Sequence, residues 1–330
     1  MDSRIGGILV SDVEKLKYTV APWQLRMNQL SSGSLQASFS FTQMDNILLT
    51  REHWTKRISA NGLSPPGFIA FAAPCAGPKF SFCGSTITAD RLAYAFDGQE
   101  IDFVTPEKDD HWVMLLPTKL IENYLGEELF ASMCTDTRVL LGDPQLISQL
   151  TAQVLQTMAV LQPTDASTRN PLLLDALEEQ LLAAVARVLL NGNGMLINQE
   201  KATKRFLAYR QARYLIEANE CHYSIEELTE TLGVSRRSLE AGFREELALS
   251  PQAFSRHIRL NRVRRALLHA SLGKLKVTTA LQSNGFSELG RASGYYSKLF
   301  GESPSDTLLH EPPEGGMRLV DALYEQGSVN

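Results

Sequence analysis

The sequence predicts an α+β protein. A small antiparallel β-barrel or sandwich comes first, linking helices follow, and an all-α C-terminal part carries two helix-turn-helix units. Three observations carry that expectation. Apolar residues recur at every second position within residues 35–115. They recur at steps of three and four between Pro144 and Val188. In the last third, a helix–glycine–helix plan occurs twice at one offset. The organisation that follows is a β-rich segment at 1–140, linking helices and a linker at 141–199, a double helix-turn-helix segment at 200–312 and an acidic tail at 313–330.

Residues 1–30 show no clear period. From there Leu35, Ala37, Phe39 and Phe41 alternate with Gln36, Ser38, Ser40 and Thr42, as a half-buried strand does. Arg91–Val104 reads as a hairpin: Leu92, Tyr94 and Phe96 alternate, Asp97-Gly98 turns, and Ile101 and Phe103 resume. Asp-Gly suits a turn that needs positive φ at both central residues. Proline and glycine breaks at Gly62–Gly67, Pro74–Pro78 and Gly84 separate further short strands. Pro117–Phe130 reads as one helix and Pro144–Leu161 as another, and Pro171 opens a third. In that third helix Leu174, Leu177, Leu181, Ala184 and Val188 form an apolar stripe. The stripe fits antiparallel packing within the chain, and it also fits a two-chain coiled coil. Asn191-Gly192-Asn193-Gly194 then ends the helix and reads as an interdomain linker.

Composition excludes several classes. The 330 residues are 44% hydrophobic and 21% charged, which is ordinary globular usage. No apolar run is long enough to span a bilayer, and no basic region followed by an apolar run marks a signal peptide. Four scattered cysteines (Cys75, Cys83, Cys134, Cys221) without a CxxC pair suit a reducing compartment, so a cytoplasmic protein is expected. The net charge of −5 is uneven: residues 1–199 carry −7, residues 200–310 carry +5 and residues 311–330 carry −3. A basic segment in an acidic chain points to one part that meets a polyanion and another that does not.

The basic segment carries one plan twice. Ser224 and Glu227 form an S-x-x-E capping box, and Ile225, Leu228 and Leu232 give that helix an apolar face. Gly233 makes the turn, Val234 plugs it, and Ser235 caps a second helix in which Leu239 and Phe243 point inward. The plan recurs with Val277, Ala280 and Leu281, the turn Gly285-Phe286, the candidate cap Ser287, and inward Leu289, Ala292, Tyr296 and Leu299. The turn glycines and the two serines are each 52 residues apart. Between them runs a helix from Pro251, with Ser250 as its cap and Arg256, Arg259, Arg262, Arg264 and Arg265 largely off its apolar side. Twenty helical residues span about 30 Å, close to the repeat of about 34 Å between successive major-groove faces of B-DNA. A stiff spacer of that length seats two recognition helices in adjacent grooves, and its arginines can approach the phosphates between.

At this point the residues resemble a known family. Residues 205–310 are similar to the DNA-binding domain of AraC-type (AraC/XylS) transcription regulators, above all in Gly285-Phe286-Ser287, Leu289-Gly290-Arg291, Tyr296 and Phe300-Gly301-Glu302-Ser303-Pro304-Ser305. The Leu-Gly-Arg variant and the closing motif look most like the ethanolamine-utilisation subgroup. The resemblance implies a DNA-binding regulator, an activator, that meets double-stranded DNA and RNA polymerase and needs no cofactor. Arg237 and Glu240 are then the base readers of the first unit, with Arg236 and Arg244 on phosphates. Glu288 and Arg291 read for the second unit, with Ser287 and Lys298 on the backbone. For each arginine a surface salt bridge is the alternative, Arg237 with Glu240 among them. The departures are Ala241, Gly242, Gly290 and Gly294. The two glycines inside recognition helices, Gly242 and Gly294, each cost about 1 kcal/mol of helix propensity relative to alanine.

For the N-terminal segment the resemblance implies a cupin-like module that takes a small-molecule effector. Trp23, Phe39, Phe41, Trp54, Phe82, Tyr94, Phe96 and Trp112 either line an apolar pocket or fill the barrel. His53 and His111 without an H-x-H pair argue against a metal-dependent oxygenase. Two other classes compete with the leading one. The first is an enzyme with a DNA-binding tail, for which no nucleophile elbow, phosphate loop or HExxH is present. The second is an interaction module that forms a homodimer through Leu174–Val188 without an effector.

Overall fold

The computed structural model describes residues 5–15, 23–75, 79–133, 139–161, 170–191, 204–218, 223–270 and 275–310. The glycines of the proposed linker, Cys134, Cys221 and the tail 313–330 lie outside those residues.

Twelve strands among the described residues form two antiparallel sheets. The seven-stranded sheet runs β1 (Ile5–Val10), β3 (Ala37–Gln43), β4 (Leu48–Trp54), β11 (Asp109–Pro117), β6 (Phe68–Pro74), β9 (Arg91–Phe96) and β12 (Val139–Leu141). The five-stranded sheet runs β2 (Gln24–Gln29), β5 (Ile58–Leu63), β10 (Glu100–Val104), β7 (Phe80–Phe82) and β8 (Ser85–Ile87). One apolar cluster, including Met27, Phe39, Trp54, Ile58, Phe82 and Ile101, joins the two sheets. Another joins the large sheet, through Phe71, Leu92, Trp112 and Met114, to the helices that cover it. The large sheet is therefore buried on both faces, and β9 (LAYAF) is buried at five successive positions rather than at alternate ones.

Three sequence expectations change here. Arg91–Val104 is not a hairpin, because β9 lies in one sheet and β10 in the other. The turn chemistry holds: Asp97 and Gly98 both have positive φ, 46° and 71°, and Gln99 N donates to Phe96 O at 3.1 Å. The neighbours of β9 are β6 and β12, while β10 pairs with β5 and β7, so the turn is a corner between sheets. The stretch before residue 30, which lacks a period, holds β1 and β2; pairing with β3 and β5 makes them strands. Pro117–Phe130 is two helices, α1 (Thr118–Leu125) and α2 (Glu127–Met133), broken where Gly126 adopts φ 84° and ψ 154°.

The linking helices are α3 (Pro144–Leu161) and α4 (Pro171–Asn191). Leu174, Leu177, Leu181, Ala184 and Val188 are all buried within this one chain, in the cluster shared with α3 and the large sheet. Within the one chain the stripe packs intramolecularly, as the first of its two readings expects. A feature invisible to periodicity fixes the helix. The buried Glu178 carboxylate accepts from Asn46 N (2.6 Å), Asn46 Nδ2 (2.8 Å) and Ile47 N (3.2 Å), which ties α4 to the β3–β4 turn. Charge-assisted bonds of this kind satisfy a carboxylate that would otherwise be costly to bury. Among the described residues no helix is long and apolar enough to cross a membrane.

Candidate nucleic-acid interface

The C-terminal half consists of α5 (Lys204–Ala218), α6 (Ile225–Leu232), α7 (Arg236–Leu247), α8 (Pro251–Leu268), α9 (Val277–Ser283), α10 (Leu289–Phe300) and α11 (Pro304–Leu308). The first unit is α6–turn–α7. Ser224 and Glu227 close the capping box, with Glu227 N donating to Ser224 Oγ at 3.1 Å and Ser224 N to Glu227 Oε2 at 2.7 Å. Gly233 sits at φ 62°, where a side chain would be strained, and Ser235 Oγ accepts from Ser238 N at 3.2 Å. Leu239, Phe243 and Leu247 point into the core with Tyr209, Phe254 and Ile258.

The outer face of α7 carries the candidate readers. Arg237 and Arg244 are exposed and, among the described residues, make no ion pair. Arg236 is bound to Glu240 (3.0 Å) and to Glu226 (3.2 Å). The salt bridge expected of Arg237 is thus made by its neighbour, four residues from Glu240 rather than three.

The second unit is α9–turn–α10. Gly285 takes φ 75°, and Phe286, Ala292, Tyr296 and Leu299 are buried. Ser287 does not cap: α10 begins at Leu289, its N-cap is Glu288, and no side chain bonds the free N–H groups there. Ser287 stands one residue outside the helix. Ser287, Glu288, Arg291 and Lys298 are exposed, and Glu288 pairs with Arg291 at 3.3 Å. Gly290 and Gly294 lie on the same exposed face, and a Cβ added at either would meet nothing within 4 Å. Gly242 in α7 is different, because a Cβ there would stand 3.0 Å from Tyr209 Cβ and 3.1 Å from Arg205 O. The apparent defect in α7 is the close approach of α5, a packing reason that one helix's sequence does not display.

The spacer α8 has 18 residues, hence a length of about 27 Å. Ser250 caps it and Pro251 opens it. Its arginines do not face outward as a phosphate-contacting row, and this corrects the sequence reading. Arg264 is buried between Asp12 (2.5 Å) and Glu302 (2.9 Å), above the Phe300 ring. Arg265 bonds Glu14, Met27 O and Asn28. Arg262 bonds the carbonyls of Ile216 and Glu217, Arg259 lies over Phe286, and Arg256 lies over Tyr295. Guanidinium forks suit such multiple acceptors, and most of these acceptors belong to the protein's own turns and to the β-rich half.

That half docks directly on both units. Leu30 and Val104 enter the core of the first unit, and Arg57 bonds Leu247 O. Gln29 Nε2 donates to Leu299 O at 2.6 Å and Gly33 N to Lys298 O at 3.0 Å, at the C-terminal end of α10. Gln29 and Asn261 exchange bonds of 2.9 Å, the backbone N–H and C=O of the strand being matched by one amide side chain of α8. Sequence reasoning missed Asp12, Glu14, Gln29 and Asn261. Gln29 and Asn261 have one visible signal, a polar residue next to apolar ones in a strand or helix, whereas Asp12 and Glu14 lie beyond the end of β1.

Comparison with known proteins finds relatives of this chain. Residues 228–309 match the family model described as a helix-turn-helix domain. The chain is 36% identical over 89 residues to a probable thc operon regulatory protein of Rhodococcus erythropolis, covering 27% of each chain. It is 33% identical over 114 residues to a XylDLEGF operon transcriptional activator 2 of Pseudomonas putida, covering 34% of this chain and 69% of that one. A solved structure of a probable AraC family transcriptional regulator from Rhodopseudomonas palustris is 39% identical, covering 31% of this chain and 94% of that one, with a TM-score of 0.29. The chain spans about a quarter to two fifths of the length of the first curated relatives it matches. With two glycine-turned helix pairs about one capped spacer, and about a third of its length matched at 33% identity to a curated activator over 69% of that protein's length, the chain belongs to the AraC/XylS-type family of transcription regulators.

Proposed function

We propose that this chain is a sequence-specific DNA-binding transcription regulator, an activator, which acts by binding rather than by catalysis and works in the cytoplasm. One observation carries the reading: α7 and α10 both present exposed polar faces while a single capped helix, α8, joins their units. Arg237 and Glu240 read bases in the first unit, where Arg can pair with guanine and Glu can accept from cytosine, and Arg236 and Arg244 meet phosphates. Glu288 and Arg291 read in the second, with Ser287 and Lys298 on the backbone. The ion pairs Arg236–Glu240 and Arg291–Glu288 open when bases replace them; both are exposed, so little stability is lost. RNA polymerase is the partner an activator requires. The Leu289-Gly290-Arg291 variant and the closing Phe300–Ser305 motif support the ethanolamine-utilisation type as the nearest subgroup. A homodimer built on α4 has to use its outer face, where Leu172 and Leu190 are 75% and 63% exposed, since the inner stripe is occupied.

The test is selection of duplexes from a random pool with the full chain, followed by anisotropy titration of the selected and a scrambled duplex across salt concentrations. A selected duplex bound at least 100-fold tighter than the scrambled one, with affinity falling steeply as salt rises, supports the reading. Equal affinity for both rejects it.

A further inference from the structure

Between the two sheets lies a cavity of about 60 Å³, within about 560 Å³ of unfilled space that opens to solvent. The strand pattern makes the room. Across β6 and β9, Ala70 faces Ala95 and Ala72 faces Ala93, so four methyl groups stand on one wall. Trp23, Phe80, Phe82 and Phe103 contribute aromatic lining.

Among the described residues one charged side chain, Glu52, lines this space, and no lysine or arginine does. Glu52 Oε1 accepts from Thr50 Oγ1 at 3.2 Å, and its Oε2 lies 3.5 Å from His111 Nε2. His111 Nδ1 in turn is 2.6 Å from Asp109 Oδ2, and Asp109 is fully buried. Burial works against the imidazolium, but Asp109, and after it Glu52, carry its pKa up to about 9. Burial also pushes the Glu52 carboxyl above its ordinary range, with His111 pulling it back. Two carboxylates thus share one imidazole ring beside an apolar wall. A carboxylate or phosphate entering there meets the Glu52 carboxyl and no lysine or arginine in the lining. A protonated amine meets the one acidic side chain of the lining, and aromatic faces add to its attraction.

The same wall touches the helical half. In β2, Leu25 and Met27 line the space, while the residues between and after them face α5 and α8. Arg26 Nη1 donates to Glu217 O at 3.1 Å, Asn28 Oδ1 accepts from Arg265 at 3.2 Å, and Gln29 is paired with Asn261.

We propose that this pocket takes a small, largely apolar molecule bearing a protonated amine, held by Glu52, and that β2 passes its presence to α8. The ligand site stands independently of the DNA-binding reading; only the consequence of binding rests on it.

The experiment uses the full chain and three probes of one size: 2-phenylethylamine, 2-phenylethanol and phenylacetate, followed by calorimetry and thermal shift. The amine is expected to bind at least tenfold more tightly than phenylacetate. Glu52→Gln is expected to remove that preference while leaving the alcohol's affinity within threefold, which also shows the pocket intact. Ala93→Leu is expected to lower the affinity of all three probes at least tenfold. Saturation with the amine is expected to change amide hydrogen exchange in residues 261–265. Phenylacetate binding as tightly as the amine in the wild-type chain overturns the proposal whether or not either variant folds. So does failure of all three probes to bind, or an unchanged preference in a folded Glu52→Gln. Unchanged exchange in α8 with the amine bound overturns the transmission through β2. Duplex titration of the same preparation separates the two readings: tight amine binding by a chain that shows no specific duplex binding, with or without the amine, sinks the regulator reading and leaves the pocket standing.

Discussion

The two helix-turn-helix units share a plan and differ in how they meet the outside. The first is closed by side chains at both helix starts, Ser224 and Ser235, and fills its outer face with Arg236, Arg237, Glu240 and Arg244. The second begins its recognition helix without a side-chain cap, exposes Gly290 and Gly294 among its charged residues, and has the far end of that helix tied to Gln29 and Gly33. The difference teaches that repetition in sequence does not make equivalent heads. One unit is built to present side chains, and the other leaves its helix backbone uncovered while the β-rich half holds its end.

The strongest way to break this comparison is to cut the second unit from the spacer. Arg264→Ala leaves Asp12 buried without its cation and removes the support beneath Phe300. It should cost about 3–5 kcal/mol in urea unfolding. A loss under 1 kcal/mol would show that the clamp is not what seats the second head.

Acid should act next, and on the side of the first unit. His257 on α8 faces Leu30, and burial, then the nearby Arg256 charge, holds its pKa down at about 4. A histidine with a folded pKa near 4 and an ordinary value of 6.5 supports the fold fully above pH 6.5. That support is lost as pH falls from 6.5 through 4. The loss is on the order of 3 kcal/mol. His257→Gln should flatten this part of the pH–stability curve; a curve of unchanged slope would remove His257 from the account.

The presentation of side chains is tested by Arg237→Ala, which should weaken binding to a selected duplex by about 1–3 kcal/mol with stability unchanged. Unchanged affinity in titration at fixed salt would reject the role. The smallest and sharpest contrast is between two glycines. Gly294→Ala meets open space and should raise stability by about 1 kcal/mol. Gly242→Ala, pressed against Tyr209 and Arg205, should lower it by about the same amount. Equal signs in thermal melts would mean that the two recognition helices are not packed differently after all.

The helical half was largely legible from sequence, for a reason tied to distance along the chain. Capping boxes, glycine turns and proline starts are set by bonds spanning three or four residues, so Ser224, Gly233, Ser250 and Gly285 announce themselves. The exception proves the range of that reasoning: Ser287 has the right neighbours, but where α10 starts depends on how Leu289 and Ala292 seat in the core. In the candidate interface the exposure of Arg237, Arg244 and Lys298 followed from helical period. The partners of the spacer arginines did not, because Asp12 and Glu14 lie some 250 positions away in sequence.

Local chemistry written in the chain therefore settled the twin heads, the caps of the first head and of the spacer, and the spacer itself. It also settled the reversal at Asp97-Gly98, though not where the chain goes after it. Which strands pair, why β1 and β2 exist at all, where the α4 stripe is buried and what the arginines of α8 hold were decided only by the assembled tertiary structure. A turn's energy lies in its own few residues, whereas a sheet edge or a buried charge is satisfied by whichever distant segment arrives with the matching donor or acceptor.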